Sequence, residues 1–149
     1  MEKKGIKFFD ENIVRRDSIT DKEILFFKGT NIPMPSIFEI SNSGMCNRKC
    51  AFCPRSDPSY NHVNEFISNE LHEKIYDELK IHDYSGSIIF SGFVEPLLDK
   101  RVYKQIKDIR EKLPRANIEL ITNGDPLNKE RIEKLFVSGL SYLLVSAYD

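Results

Sequence analysis

Cys46, Cys50 and Cys53 are the three cysteines of this chain, and they stand in a C-x3-C-x2-C pattern. The run is Met45-Cys46-Asn47-Arg48-Lys49-Cys50-Ala51-Phe52-Cys53-Pro54. Thiolates converging from so short a loop can hold an iron–sulfur cluster, yet three are one ligand short of closing a four-iron one. An iron without a protein ligand is a place where a small molecule can bind and react. Two blander readings compete. A disulfide framework needs paired cysteines dispersed along the chain, and here the number is odd and the residues clustered. Structural zinc needs four ligands, commonly as two pairs. The fourth could come only from a residue such as His62 or Asp57 in the following loop, and no second cysteine pair exists.

Other chemistries find no footing. No G-x-S-x-G elbow, Walker A loop or G-x-G-x-x-G fingerprint occurs, and no cysteine lies outside the cluster to act as a nucleophile. His62, His72 and His82 are scattered, and His72 and His82 are expected at the surface. Lys and Arg total 22 against 23 Asp and Glu, a net charge of -1, so nothing argues for nucleic acid as an obligate partner. The N-terminal residues carry charges but no apolar h-region, and the longest apolar runs, such as Ile24-Leu25-Phe26-Phe27, fall far short of a membrane span. A reducing cytoplasm suits the clustered thiols.

The elements that must position the cysteines can be read around them. With 149 residues, 40% of them hydrophobic, one domain is expected. Residues 1–35, ending in Pro33-Met34-Pro35, read as an N-terminal extension packed on a core domain of residues 36–149. Ile37–Ser41 reads as a strand that runs through a polar turn, residues 41–44, into the cysteine loop. After a loop at 54–67, Ser68 can cap a helix with Leu71, Ile75 and Leu79 on one face. Ser87–Phe90 is a second strand, leading into Ser91-Gly92-Phe93-Val94-Glu95-Pro96. Asp99 is expected to cap a helix bearing Val102, Ile106, Ile109 and Leu113, stopped by Pro114. Ile118–Ile121 is a third strand, followed by Thr122-Asn123-Gly124. Asp125-Pro126 is expected to open a helix with Ile132, Leu135 and Phe136, ended by Gly139, before a last strand at Tyr142–Ser146.

Strand, loop and helix in repetition is βαβ order, which makes a parallel α/β domain, barrel-like or doubly wound. Either architecture puts chemistry on the loops after the strands' C-terminal ends. The cysteines, Glu95 and Asn123 all fall on that rim. The chain stops at Asp149, directly after the fourth strand, and so reads as truncated at its C-terminus.

These residues carry a resemblance. The cysteine spacing, with Phe52 just before the last thiol, resembles the cluster motif of radical S-adenosylmethionine (radical SAM) enzymes. Glu95-Pro96 resembles the tail of the family's Gly-Gly-Glu-Pro motif, and Thr122-Asn123-Gly124 a common turn after its third strand. Over residues 36–149 the chain looks like about four of the six βα units of the family's partial TIM barrel. Val94 departs from the pattern, standing where related sequences have glycine, which puts the loop's backbone contact with SAM in question.

The resemblance implies a [4Fe-4S] cluster held by Cys46, Cys50 and Cys53, with SAM bound through its amino and carboxylate groups to the fourth iron. It implies reductive cleavage of SAM to a 5′-deoxyadenosyl radical that takes hydrogen from an unknown small-molecule or peptide substrate. An electron donor such as flavodoxin or ferredoxin would be a partner; a membrane would not. Cofactor contacts would come from Phe52, Gly92, Glu95, Asn123 and Ser146. Glu95 would accept from the SAM ammonium, Ser146 would reach the ribose, and Phe52 would exclude water. Arg48 and Lys49 would lend positive charge to the cluster. The Cys-Pro-Arg ending resembles the branch whose members often carry a C-terminal domain with further clusters, the SPASM type. Three alternatives stay open. They are an inactive or partner-completed iron–sulfur fragment, an electron-transfer module indifferent to SAM, and a zinc module.

Overall fold

The computed structural model describes residues 24–147. Four strands, β1 (Ile37–Ile40), β2 (Ser87–Phe90), β3 (Asn117–Thr122) and β4 (Tyr142–Val145), form one parallel sheet in the order β1-β2-β3-β4. Neighbours in sequence are neighbours in the sheet. A doubly wound sheet reverses its strand order at a switch point. No reversal occurs in these four, so the order is that of consecutive barrel staves.

The register explains the core. Ile40, Phe90, Leu120 and Leu143 stand in one row across the sheet, and Phe38, Ile88 and Ile118 in another. Both rows point to the helical layer, where Ile88, Phe90, Ile118 and Leu120 are fully buried. The intervening row, Glu39, Ile89, Glu119 and Tyr142, points to the opposite face, as the two-residue period of a strand requires.

Helices α1 (Asn69–Ile81), α2 (Val102–Lys112) and α3 (Lys129–Val137) cover the first face. The apolar stripe of α2 lies as its spacing predicts: Val102, Ile106 and Ile109 are fully buried, and Leu113 is the last residue before Pro114. Ser68 caps α1 by accepting the Leu71 N–H at 3.2 Å, again as expected.

Elsewhere the observed structure corrects the sequence reading. Leu71 is largely exposed, and the inward stripe of α1 is His72, Tyr76 and Leu79. His72, expected at the surface, is buried because its polar atoms find partners. Its Nδ1 lies 2.6 Å from the Tyr76 hydroxyl and its Nε2 lies 3.2 Å from the Gln105 amide. His82 is half-buried, with its Nδ1 accepting the Lys28 N–H at 3.0 Å. Asp99 does not cap α2 through N2 or N3. Its carboxylate accepts the Arg101 N–H and pairs with the Arg101 guanidinium at 2.9 Å, one turn early, after a short 3₁₀ turn at Pro96–Leu98. Asp125-Pro126 does not open α3; Asn128 does, accepting the Arg131 N–H at 2.8 Å.

The first 23 residues of the N-terminal extension lie outside the described residues. From Ile24 onward, Met34 is buried in the core and Leu25 and Phe27 pack against it. No described helix is long and apolar enough to cross a membrane.

The buried imidazole makes stability depend on pH. Burial holds the His72 pKa below its ordinary value of 6.5. A depressed folded value contributes stability in full above the unfolded pKa, and that stability is lost as pH falls through the folded value. The urea midpoint should therefore fall as pH is lowered from about 7 to about 5, and His72→Gln should flatten that slope. Equal slopes in the two proteins would contradict the assignment.

Candidate functional site

Where the loops after β1, β2, β3 and β4 meet, they enclose a cavity of about 250 Å³. Cys46, Cys50 and Cys53 line it, together with Phe52 from the same loop. Gly92 and Glu95 reach it from the β2 loop, Asn123 from the β3 loop and Ser146 from the end of β4. Every site residue expected from sequence thus faces one space, although β1 and β4 lie at opposite edges of the sheet.

The cysteine loop is shaped by short local bonds. The Cys53 N–H donates to the Cys50 carbonyl at 2.9 Å, and the Ser56 N–H to the Cys53 carbonyl at 2.9 Å, winding the chain into the 3₁₀ turn Pro54–Ser56. Arg55, buried just after the last cysteine, stitches this turn to its surroundings. Its Nη1 donates to the carbonyls of Gly44 at 2.8 Å and Phe93 at 3.3 Å, and its Nη2 meets His62 Nδ1 at 3.2 Å. All three thiols are free and partly buried. Among the described residues no three His, Cys, Asp or Glu side chains gather tightly enough to hold a single metal ion. The two suggested fourth zinc ligands are engaged elsewhere. His62 meets Arg55, and Asp57 accepts the Ser59 N–H at 2.7 Å and the Ser59 hydroxyl at 2.6 Å.

Glu95 is almost wholly buried: only 1% of its surface is exposed. Its Oε1 accepts the Leu97 N–H at 3.1 Å and the Thr122 hydroxyl at 2.8 Å, and its Oε2 accepts the Asn123 N–H at 2.8 Å. Its own N–H donates to the Met45 carbonyl at 2.7 Å, next to Cys46. One residue therefore joins the β2 loop, the β3 end and the cysteine loop. Among the described residues one N–H donates to Oε2, which keeps acceptor capacity.

The remaining candidates divide by what holds them. Gly92 sits at φ +111°, and a Cβ there would meet the Ser41 hydroxyl oxygen at 2.2 Å, so glycine is required by the protein's own packing. Val94 is not at positive φ: among the described non-glycine residues only Asp83 is, so valine is accommodated there without strain. Phe52 lines the cavity with 66% of its surface exposed, and Phe93, also exposed, lines it from the β2 loop. Asn123 Oδ1 accepts the Asp125 N–H at 3.0 Å in an Asx turn. Its Nδ2 donates to Asn47 Oδ1 at 2.8 Å and lies 3.9 Å from Cys46 Sγ. Ser146 is held by its N–H, which donates to the Thr122 carbonyl at 2.8 Å.

Sequence reasoning passed over Asp125, Thr122 and Arg55. Arg48 lines the cavity and forks onto the Asp125 carboxylate, with Nε to Oδ2 at 2.8 Å and Nη2 to Oδ1. That bond, with a smaller contribution from the Cys50 and Cys46 thiols, holds the guanidinium pKa above its usual value, and the same bond holds Asp125 below the ordinary carboxylate value. Lys49, by contrast, is exposed and does not line the cavity.

Comparison with known proteins agrees with this geometry. The Radical SAM superfamily profile matches residues 40–147, and the chain belongs to that superfamily. It is 30% identical over 113 residues to the S-adenosyl-L-methionine-dependent 2-deoxy-scyllo-inosamine dehydrogenase of Niallia circulans, covering 76% of this chain and 45% of that protein. It is 37% identical over 101 residues to the Fe-coproporphyrin III synthase of Methanosarcina barkeri (strain Fusaro / DSM 804), covering 68% of this chain and 24% of that protein. The chain thus spans less than half the length of either curated relative. Among solved structures, BtrN in complex with AdoMet and 2-DOIA superposes with a TM-score of 0.73 at 30% identity, over 77% of this chain and 46% of that one. BtrN in an open conformation gives 0.71 at 29% identity, over 77% and 51%.

The Glu95 brace has a measurable consequence. Glu95→Ala leaves three donors without their acceptor, two of them backbone N–H groups, and should cost about 3 kcal/mol in urea unfolding. Glu95→Gln, which keeps part of the acceptor set, should cost less. An alanine variant as stable as the parent would show that the brace carries no load.

Proposed function

We propose that this chain is the cluster-binding part of a radical SAM enzyme, with residues 36–149 as its core. In this reading Cys46, Cys50 and Cys53 hold a [4Fe-4S] cluster and SAM lies in the cavity beside them. The observation that carries it is the placement of the three thiols and the ends of β2, β3 and β4 around one space. The donor set fits the group. Three thiolates would satisfy three irons of such a cluster and leave one open. A SAM-dependent dehydrogenase among the relatives and a solved neighbour bound to AdoMet support SAM as the small molecule.

Bound together, cluster and SAM would supply the one-electron reductive cleavage that yields methionine and a 5′-deoxyadenosyl radical. The protein's own residues bind, orient and shield. Gly92 lines the cavity with backbone alone, and its glycine lets the β2 loop pack against Ser41 at a positive φ. The spare acceptor capacity of Glu95 Oε2 suits an ammonium group, and the Ser146 hydroxyl suits a ribose. Phe52 and Phe93 at the edge are placed to exclude water once the cavity is filled. The Arg48 guanidinium offsets negative charge at Cys46 and Cys50.

Anaerobic reconstitution with iron and sulfide tests the ligand set. The parent chain should take up about four irons and four sulfides, and Cys50→Ala should take up little of either. Near-normal iron and sulfide in Cys50→Ala would remove that cysteine from the site.

A further inference from the structure

The stretch between the first two cysteines has little backbone support. Among the described residues, residues 46–49 make no backbone–backbone hydrogen bond; such bonds begin at Met45 and Cys50 on either side. What holds the stretch is a side-chain circuit to the β3 loop. Arg48 grips Asp125 through both oxygens, and Asn47 Nδ2 donates to the same Oδ2 at 3.0 Å. Asn123 closes the circuit by donating to Asn47 Oδ1 at 2.8 Å while its own Oδ1 accepts the Asp125 N–H at 3.0 Å.

A lone surface ion pair contributes little, because solvent screens it and two long side chains must be ordered. This one differs in two respects. The guanidinium fork is bidentate, which adds geometric definition. The Asp125 backbone is fixed by an Asx turn and its carboxylate is shared with Asn47, so part of the ordering cost is met in advance. The partners lie 77 residues apart in the chain, so the circuit ties one strand-end loop to another.

We propose that Asp125 is a positioning residue. It fastens residues 46–49 to the end of β3 and thereby sets where Cys46 and Cys50 present their thiols. The proposal rests on the radical SAM reading only for what those thiols hold. Asp125 reaches the cavity through Arg48 and Asn47 and does not itself line it. The spacer residues Asn47 and Arg48 are then anchors, and the C-x3-C spacing carries a loop-fixing function besides the ligands.

Amide hydrogen exchange on the 149-residue chain without iron tests this directly. The reporter is the segment 45–56, where the Cys53 and Ser56 amides are hydrogen-bonded. Asp125→Ala and Arg48→Ala should each speed exchange there by about fivefold, with α1 to α3 unchanged. The double variant should be no faster than either single one, because both remove the same link. In reconstituted protein, Asp125→Ala should also lose iron to a chelator about fivefold faster, following the looser loop. Unchanged exchange in segment 45–56, or additive effects in the double variant, would overturn the proposal. Failure of the parent chain to take up iron would instead count against the functional reading, and the exchange result would still decide the latch.

Discussion

One buried carboxylate holds the functional rim together. Glu95 takes donors from Leu97, Thr122 and Asn123, and gives its own N–H to Met45. A carboxylate excluded from water is tolerable only when its lone pairs are spent on donors, and those donors must then stay in place. The constraint works both ways: the sheet buries Glu95, and Glu95 fixes the loops that the sheet ends in. Parallel strands deliver loops to one edge but do not position them against each other. That task falls to side chains reaching between loops, and Glu95, Arg55 and Arg48 divide it among the β2, cysteine and β3 loops.

The fold was largely legible because its signals are local. The strands announce themselves as short β-branched runs, and consecutive strand–helix repeats leave few topologies open. Ser68 and Gly139 bound their helices as read. Misreadings occurred where two residues of similar chemistry stood near a helix start. Asp99 and Asp125 are both good caps by type, but each carboxylate is claimed by an arginine, Arg101 and Arg48. In α1, Ile75 and Leu79 pack on the core as their spacing predicts, while Leu71 stays exposed. His72 and Tyr76 join the buried face because a His–Tyr pair four residues apart can satisfy itself and be buried.

For the site, the cysteine spacing and the strand ends were enough to pick out residues that the fold brings to one cavity, Glu95, Asn123 and Ser146 among them. What sequence could not supply was the division between groups that face a ligand and groups that hold the wall. The bracing role of Glu95 shows only once its partners, 27 and 28 residues away, are known. Arg48 reads as a surface charge until Asp125 is found beside it. Phe52, read as a cofactor contact, lines the cavity with most of its surface exposed. Each of these distinctions depends on contacts between loops far apart in the chain, and no local pattern encodes them.

The proposed functional reading stands on a cluster with one iron left open by the protein. The most direct test is electron paramagnetic resonance of the reconstituted, reduced chain, recorded with and without SAM. A four-iron signal that changes when SAM is added is the expected result, since only a cluster with a vacant iron can bind it. A four-iron signal indifferent to SAM, or a protein that binds zinc and no cluster, would contradict it.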